Sequence, residues 1–258
     1  MFDLSVIQKN RRDARVLTYD TLASTNATAR ELAAKEAQDL TVVLAEHQSA
    51  GRGRMSRSFF SPDGSGIYMS VIVRRPMTAQ DATGLTTLAA VATAQAIESM
   101  IRRHVDIKWV NDIYLNGRKV CGILCEGAVE PGTQKLQYAV IGIGVNVTPP
   151  KDGFPEEIRD IAGAVFEAAE EANSLRDHLI GEILDRLIFL LDQGDHSLCL
   201  AEYRRRSMVI GRDVTVHRVD GTSRAARALE IDDEYRLIVQ YESGETTALD
   251  GGEVSVRW

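Results

Sequence analysis

The 258-residue chain has no uninterrupted apolar run of the roughly 18 residues or more that mark a membrane-spanning helix, so no such span is expected. Its first residues, MFDLSVIQKNRRDARV, lack the apolar core of a signal peptide, and the expectation is a cytoplasmic protein. Cysteine is scarce: three in the whole chain do not make a disulfide framework. Cys121 and Cys125 stand four apart in an apolar run with no nearby Cys/His pair to complete a metal site, so all three thiols read as buried or neutral. The five histidines (47, 104, 178, 196 and 217) show no HExxH or similar metal spacing and read mostly as surface residues. Ser65, in Asp63-Gly64-Ser65-Gly66, lacks the GxSxG setting of a hydrolase nucleophile. GxxxxGK[ST] occurs nowhere, which excludes a Walker loop. Positive charge is in deficit as well. With 30 Lys and Arg against 37 Asp and Glu the formal charge is −7, which disfavours a large nucleic-acid-binding face but leaves room for a local basic loop.

What is present is a soluble globular profile, 44% hydrophobic and 26% charged. Ser24 is a candidate N-cap for an alanine-rich helix, TNATARELAAKEA. TVVLAEH (41–47) and GIYMSVIVR (66–74) read as strands on either side of a polar, arginine-rich loop. LTTLAAVATAQAIESMI (85–101) has helical spacing. A β pattern follows: DIKWV (106–110), a hairpin turn at Asn116-Gly117, then VCGILCEGAV (120–129) and QYAVIGIGVNV (137–147). After the breaker-rich PPKDGFP (149–155), acidic, alanine-rich and then leucine-rich helices are expected from about Glu156 to Leu191. From about Met208 to Trp258 the pattern changes to short strands (VTVHRV, RALEI, LIVQY, EVSVRW) between turn residues, as in a small β-barrel. The boundary is placed near Ser207, giving units 1–206 and 207–258.

Three stretches have the residue types for chemistry. Gly51-Arg52-Gly53-Arg54-Met55-Ser56-Arg57 combines glycines, which let backbone amides approach a ligand, with guanidinium groups that chelate phosphate or carboxylate oxygens. An anion-binding loop and a solvated basic turn explain it about equally well, and no third glycine arrives to make it a GxGxxG fingerprint. Lys108, in Ile107-Lys108-Trp109-Val110, is either a lysine on the solvent face of an edge strand, the more frequent case, or a fixed charge for a carboxylate–phosphate reaction. The Asn111-Asp112 pair that follows reads most simply as an Asx-turn. Gly142-Ile143-Gly144-Val145-Asn146 puts two glycines in a strand, marking either the close approach of a ligand or a bulge or tight backbone packing.

In order, these segments resemble the biotin–protein ligase family over residues 20 to 258. The matching pieces are Ser24-Thr25-Asn26, Gln48-Ser49-Ala50-Gly51-Arg52-Gly53-Arg54, Lys108-Trp109-Val110-Asn111-Asp112-Ile113-Tyr114, Lys119-Val120-Cys121-Gly122-Ile123-Leu124, Gly142–Asn146 and Gly252-Glu253-Val254-Ser255-Val256-Arg257. The resemblance implies an α+β fold: a mixed β-sheet flanked by helices, of the class II synthetase-like kind, with a C-terminal SH3-like β-barrel. It implies activation of biotin by MgATP to biotinyl-AMP, then transfer to a lysine of a biotin carboxyl carrier protein. Lys108 and Arg54 would be catalytic. Ser24, Thr25, Asn26, Gln48, Gly51, Arg52, Gly53, Arg54, Lys108, Gly122 and Gly142 would bind biotin. Arg52, Arg54, Arg57, Phe59, Asn111 and Asn146 would bind ATP.

The chain departs from the family pattern in places. Val110 replaces the proline of KWPND, and Ser56 and Phe59 stand where a glycine and an aromatic, often tryptophan, are common. His47 differs as well and is given no role. The Ser-Thr-Asn segment begins at residue 24, without room for the N-terminal winged helix-turn-helix of bifunctional members, so the expectation is a ligase that does not bind DNA. Dimerisation through an exposed sheet edge is a family analogy. The rivals are a lipoate–protein ligase or octanoyltransferase, which shares the catalytic fold and key lysine, and a non-catalytic biotin-binding protein.

Overall fold

The computed structural model describes the chain except residues 12, 79–80, 168–171, 194–195, 218–220 and 257–258. The C-terminal Arg257-Trp258 and Arg218-Val219 of the VTVHRV stretch therefore lie outside the described residues.

Seven strands make the main sheet: β1 (Arg15–Leu22), β2 (Thr41–Gln48), β3 (Gly66–Val73), β4 (Asp106–Lys108), β5 (Asp112–Leu115), β6 (Arg118–Val129) and β7 (Leu136–Asn146). Their order is β1-β2-β3-β7-β6-β5-β4, parallel only between β1 and β2. Among the described residues five α-helices accompany it: α1 (Leu4–Ile7), α2 (Thr25–Ala34), α3 (Asp81–Ile101), α4 (Ala172–Asp192) and α5 (Ser197–Arg206). Both faces of the central strands are covered, which is why β3 is buried along its whole length and reads as a near-continuous apolar run. Alternation sorts its residues: Met69 and Val71 join the core shared with α3 and α4, while Ile72 joins Val43, Val140, Ala29 and Ala33 under α2. The C-terminal strands β8 (Asp213–His217), β9 (Ser223–Ile231), β10 (Leu237–Tyr241), β11 (Thr246–Leu249) and β12 (Glu253–Val256) form an antiparallel sheet ordered β11-β10-β9-β8-β12.

Residues 156–161 form turns where a helix is expected; 168–171 of that stretch lie outside the described residues, and the long helix is described from Ala172. The backbone there pairs with the start of β6: Lys119 N donates to Ile161 O and Gly163 N to Lys119 O, both at 2.8 Å. Strand bonds have taken groups that a helix would have used internally. The half-exposed, polar β1, the short α1, and α5 and β11 were not among the expected elements.

The two sheets meet around Lys108. Met208 N donates to Ile107 O at 3.0 Å, and Trp109 Nε1 donates to Tyr235 O at 3.0 Å in the turn between β9 and β10. Tyr203 Oη on α5 donates to Val110 O at 2.9 Å. Arg206, 2% exposed at the end of α5, donates to Val105 O at 3.1 Å and pairs with Glu98 of α3 and Glu202 of its own helix. The Arg205 hydrogen bond, reinforced by Arg206 and opposed by burial, holds the Glu202 carboxyl down to about 2, and Arg206 likewise lowers that of Glu98.

Removing Arg206 leaves Glu98 and Glu202 without their buried partner, so Arg206→Ala should lose about 3 kcal/mol of unfolding free energy. Because the folded-state values are depressed, the stability these carboxylates supply is present above their ordinary value of 4.5 and lost as pH falls towards about 2. Urea midpoints should fall across that window, and less steeply in Arg206→Ala; equal slopes would show that the cluster does not carry the dependence.

Candidate active site

The site begins with a contact that only glycine permits. A Cβ on Gly142 would lie 2.1 Å from Asn26 Oδ1, so the first turn of α2 can settle on β7 only because residue 142 has none. Asn26, 4% exposed, is then fully used: Nδ2 donates to Leu124 O at 3.1 Å and to Glu126 Oε2 at 2.9 Å, and Oδ1 accepts from Ser70 Oγ at 2.6 Å. Ser70 Oγ is also 2.8 Å from Thr25 Oγ1. Gln48 Oε1 accepts from Thr25 N at 2.8 Å and from Thr25 Oγ1 at 3.1 Å. The chain continues through Gln48 Nε2 to Ser61 Oγ at 2.9 Å and from Ser61 Oγ to Phe59 O at 2.9 Å. Ser24 is the N-cap of α2 by position, but its hydroxyl makes no cap bond and the residue lines the cavity.

The arginine-rich stretch is a loop folded back on itself. Gly53 N donates to Arg57 O at 2.7 Å and Phe59 N to Gly51 O at 2.9 Å, while Met55 and Ser56 turn it with φ of 54° and 61°. Ser56 thus takes a left-handed conformation at the place where the family pattern has glycine. The Phe59 ring lies over the floor, 2.6 Å from where a Cβ on Gly144 would be and 3.3 Å from one on Gly122. Arg54 Nη1 donates to Asn111 Oδ1 at 3.2 Å, and Asn111 Nδ2 donates to Ile123 O at 3.0 Å and Asp112 Oδ1 at 3.1 Å. Asn111 is therefore committed to tertiary bonds that join the loop to β6. The Trp109–Val110 peptide is cis, and beside it Tyr203 Oη donates to Val110 O and Trp109 Nε1 to Tyr235 O.

Two adjoining cavities result. The first is lined by Ser24, Thr25, Asn26, Gln48, Arg52, Gly53, Arg54, Gly122 and Gly142 from the expected biotin set, and by Arg57, Phe59 and Asn111 from the expected ATP set. The second holds Asn146, whose Nδ2 donates to Gly163 O at 2.9 Å. Lys108, Arg57 and Phe59 line both, together with Asp112 and Lys119, which pair at 2.6 Å. Gly51 lines neither. It is buried, and a Cβ there would meet Phe59 O at 2.4 Å, so it permits the fold of the loop. Residues that the sequence reading gave no role are Ser70, Tyr68, Asp112, Lys119, Glu126 and, from the second sheet, Gly252 and Val254. Asp112 and Lys119 did stand inside recognised motifs; Glu126 and Ser70 lay in ordinary strand sequence. The cysteines are spectators: burial raises the Cys125 and Cys199 thiols to about 12 and raises Cys121 further.

Residues 19–146 match the Biotin/lipoate A/B protein ligase family. The bifunctional ligase/repressor BirA of Bacillus subtilis is 37% identical over 232 residues, covering 89% of this chain and 70% of its own. The biotin–[acetyl-CoA-carboxylase] ligase of Mycobacterium tuberculosis is 32% identical over 246 residues, covering 91% of this chain and 87% of its own. Among solved structures, the biotin protein ligase from Aquifex aeolicus in complex with biotin and ATP has a TM-score of 0.73. It is 21% identical and covers 94% of this chain and 98% of its own, which shows a shared fold.

The floor contact predicts a coupled pair. Gly142→Ala should destabilise the fold by roughly 1–3 kcal/mol, because its methyl group overlaps Asn26 Oδ1. Adding Asn26→Ala removes the clash, so the double variant should lose clearly less than the sum of the singles. Strictly additive losses in thermal unfolding would show that the two positions do not meet.

Proposed function

The chain belongs to the biotin–protein ligase family, and we infer that it is an ATP-dependent ligase acting on a biotin carboxyl carrier protein. In the first step a biotin carboxylate oxygen attacks the α-phosphorus of ATP and pyrophosphate leaves. In the second a carrier lysine amine attacks the carbonyl of the mixed anhydride and AMP leaves. The observation that carries the reading is the place of Lys108: the lysine lines both cavities, one ending in the Thr25–Gln48 hydrogen-bond chain and the other reaching Asn146.

Ser24, Thr25 and Gln48 would take the ureido ring, whose amide-like groups need matched donors and acceptors. Lys108 would sit between carboxylate and α-phosphate, offsetting the repulsion of two anions, and Arg54 would hold the adenylate. Arg57, Phe59 and Asn146 would receive ATP. Magnesium would enter as part of MgATP, since it keeps waters and phosphate oxygens and needs only one or two protein carboxylates. Asp112 lines the shared wall where such a ligand would stand, and no group of three His, Cys, Asp or Glu side chains among the described residues is placed to hold a metal alone.

We place the enzyme in the cytoplasm and give it no DNA-binding role, as its net charge of −7 supports. We treat residues 207–258 as a small domain that closes the site through Gly252, Val254, Ser255 and Val256. Homodimerisation along β1, an edge of the main sheet, is the assembly we favour; the opposite edge, β4, is covered by the Met208–Ile107 bond.

Pyrophosphate release from MgATP should require biotin and fail with lipoate or no acid; release with lipoate alone would reassign the substrate. Lys108→Ala should slow that release roughly 100-fold or more with the fold intact, and near-normal turnover would remove Lys108 from the mechanism. Arg54→Gly should let the adenylate escape and label lysines indiscriminately. Labelling still confined to the carrier would deny the loop its protective role.

A further inference from the structure

Glu126 lies on β6 just beyond the Lys119–Leu124 segment, and its carboxylate reaches two parts of the site. Oε2 accepts from Asn26 Nδ2 at 2.9 Å on the cavity floor. Oε1 is 3.2 Å from Arg52 Nη1 in the arginine-rich loop, which also reaches Oε2 at 3.4 Å, and 3.3 Å from Arg30 Nη1 on α2. The carboxylate is 18% exposed, while the two arginines are about half exposed, at 46% and 49%. One side chain thus joins the loop over the cavity to the buried polar chain beneath it.

We propose that Glu126 is a positioning residue for the ligase reaction: its charge holds Arg52, and through Arg52 the whole loop, closed over the adenylate. The proposal rests on the ligase reading above. Asn26 fixes the carboxylate, because the Gly142 floor, Ser70 and Leu124 O leave that amide one arrangement. The pair at the rim is solvated on its arginine side, so its pull is modest and weakened by salt. That strength suits a loop that must shield a hydrolysable anhydride and still open for a carrier lysine. Charge, rather than hydrogen bonding alone, does the holding, so an amide at position 126 separates the two roles. Glu126→Gln keeps an oxygen for Asn26 Nδ2 and loses the attraction for Arg52 and Arg30.

The test has one arm without turnover and one with it. In biotin-free protein, trypsin should cut after Arg54 and Arg57 roughly three- to tenfold faster in Glu126→Gln than in wild type. Wild type at about 1 M salt should approach the variant rate. In the enzyme loaded with biotin and MgATP, preformed adenylate should be lost from Glu126→Gln by a similar factor, while single-turnover pyrophosphate release changes less than about twofold. Arg52→Gln added to Glu126→Gln should produce no further increase in the trypsin rate. Unchanged cleavage and adenylate retention in a folded Glu126→Gln protein would overturn the proposal, as would additive effects of the two substitutions on trypsin cleavage. If wild type released no pyrophosphate with biotin, the ligase reading would fall, and the trypsin arm alone would still decide whether Glu126 holds the loop.

Discussion

The site depends on a missing methyl group. Without a Cβ at Gly142, the Asn26 amide can lie against β7, and only there can it reach Leu124 O, Glu126 and Ser70 together. A buried amide left partly unbonded would cost roughly 1–3 kcal/mol, so this seating is strongly specified once the backbone allows it. The position of Asn26 sets the first turn of α2, which places Ser24 and Thr25 at the cavity wall and brings Thr25 against Gln48. Gly144 and Gly122 extend the same flat floor under Phe59. The strand has given up side-chain packing here so that other groups can lie on it.

A chain with a net charge of −7 has to gather positive charge locally if it is to join two anions. In the proposed reaction two features of different stiffness would do so. Lys108 closes a short strand whose following turn is bonded by Tyr203 and Tyr235. Arg52, Arg54 and Arg57 ride on a loop whose own backbone bonds are few and whose side chains are tied to Glu126 and Asn111. A rigid charge suits the reacting atoms, where displacement is costly, and a looser one suits a cover that has to open.

Much of this was legible in the sequence, and the reasons are local. The strands around the arginine loop and the helix starting near Leu85 carry apolar periodicity. The loop and the Lys108 turn carry glycine, arginine and a lysine–tryptophan pair in an order that resembles a known family. What was not legible is tertiary. Ser70 and Glu126 are unremarkable strand residues until β3 and β6 come within reach of α2. The segment after Glu156 has a helical composition, but the start of β6 takes its backbone groups. From spacing alone, the glycines of β7 could equally be a bulge; the cause, an amide and a phenyl ring lying on the strand, comes from residues 26 and 59, far away in sequence.

The same logic gives the second sheet a place in the proposed chemistry. Trp109 is adjacent to Lys108, and its indole N–H is held by a carbonyl from the turn between β9 and β10. That turn is itself seated against α3, where a Cβ on Gly84 would lie 3.2 Å from the Tyr235 ring. Arg206, at the end of α5, fastens α3 to the start of β4 from below. The turn after Lys108 is therefore held from α5 and from the second sheet, which is itself seated on α3. An isolated edge strand of three residues could not hold a charge to within the fraction of an ångström that orientation of two anions demands, so the small sheet is part of what keeps the lysine in register.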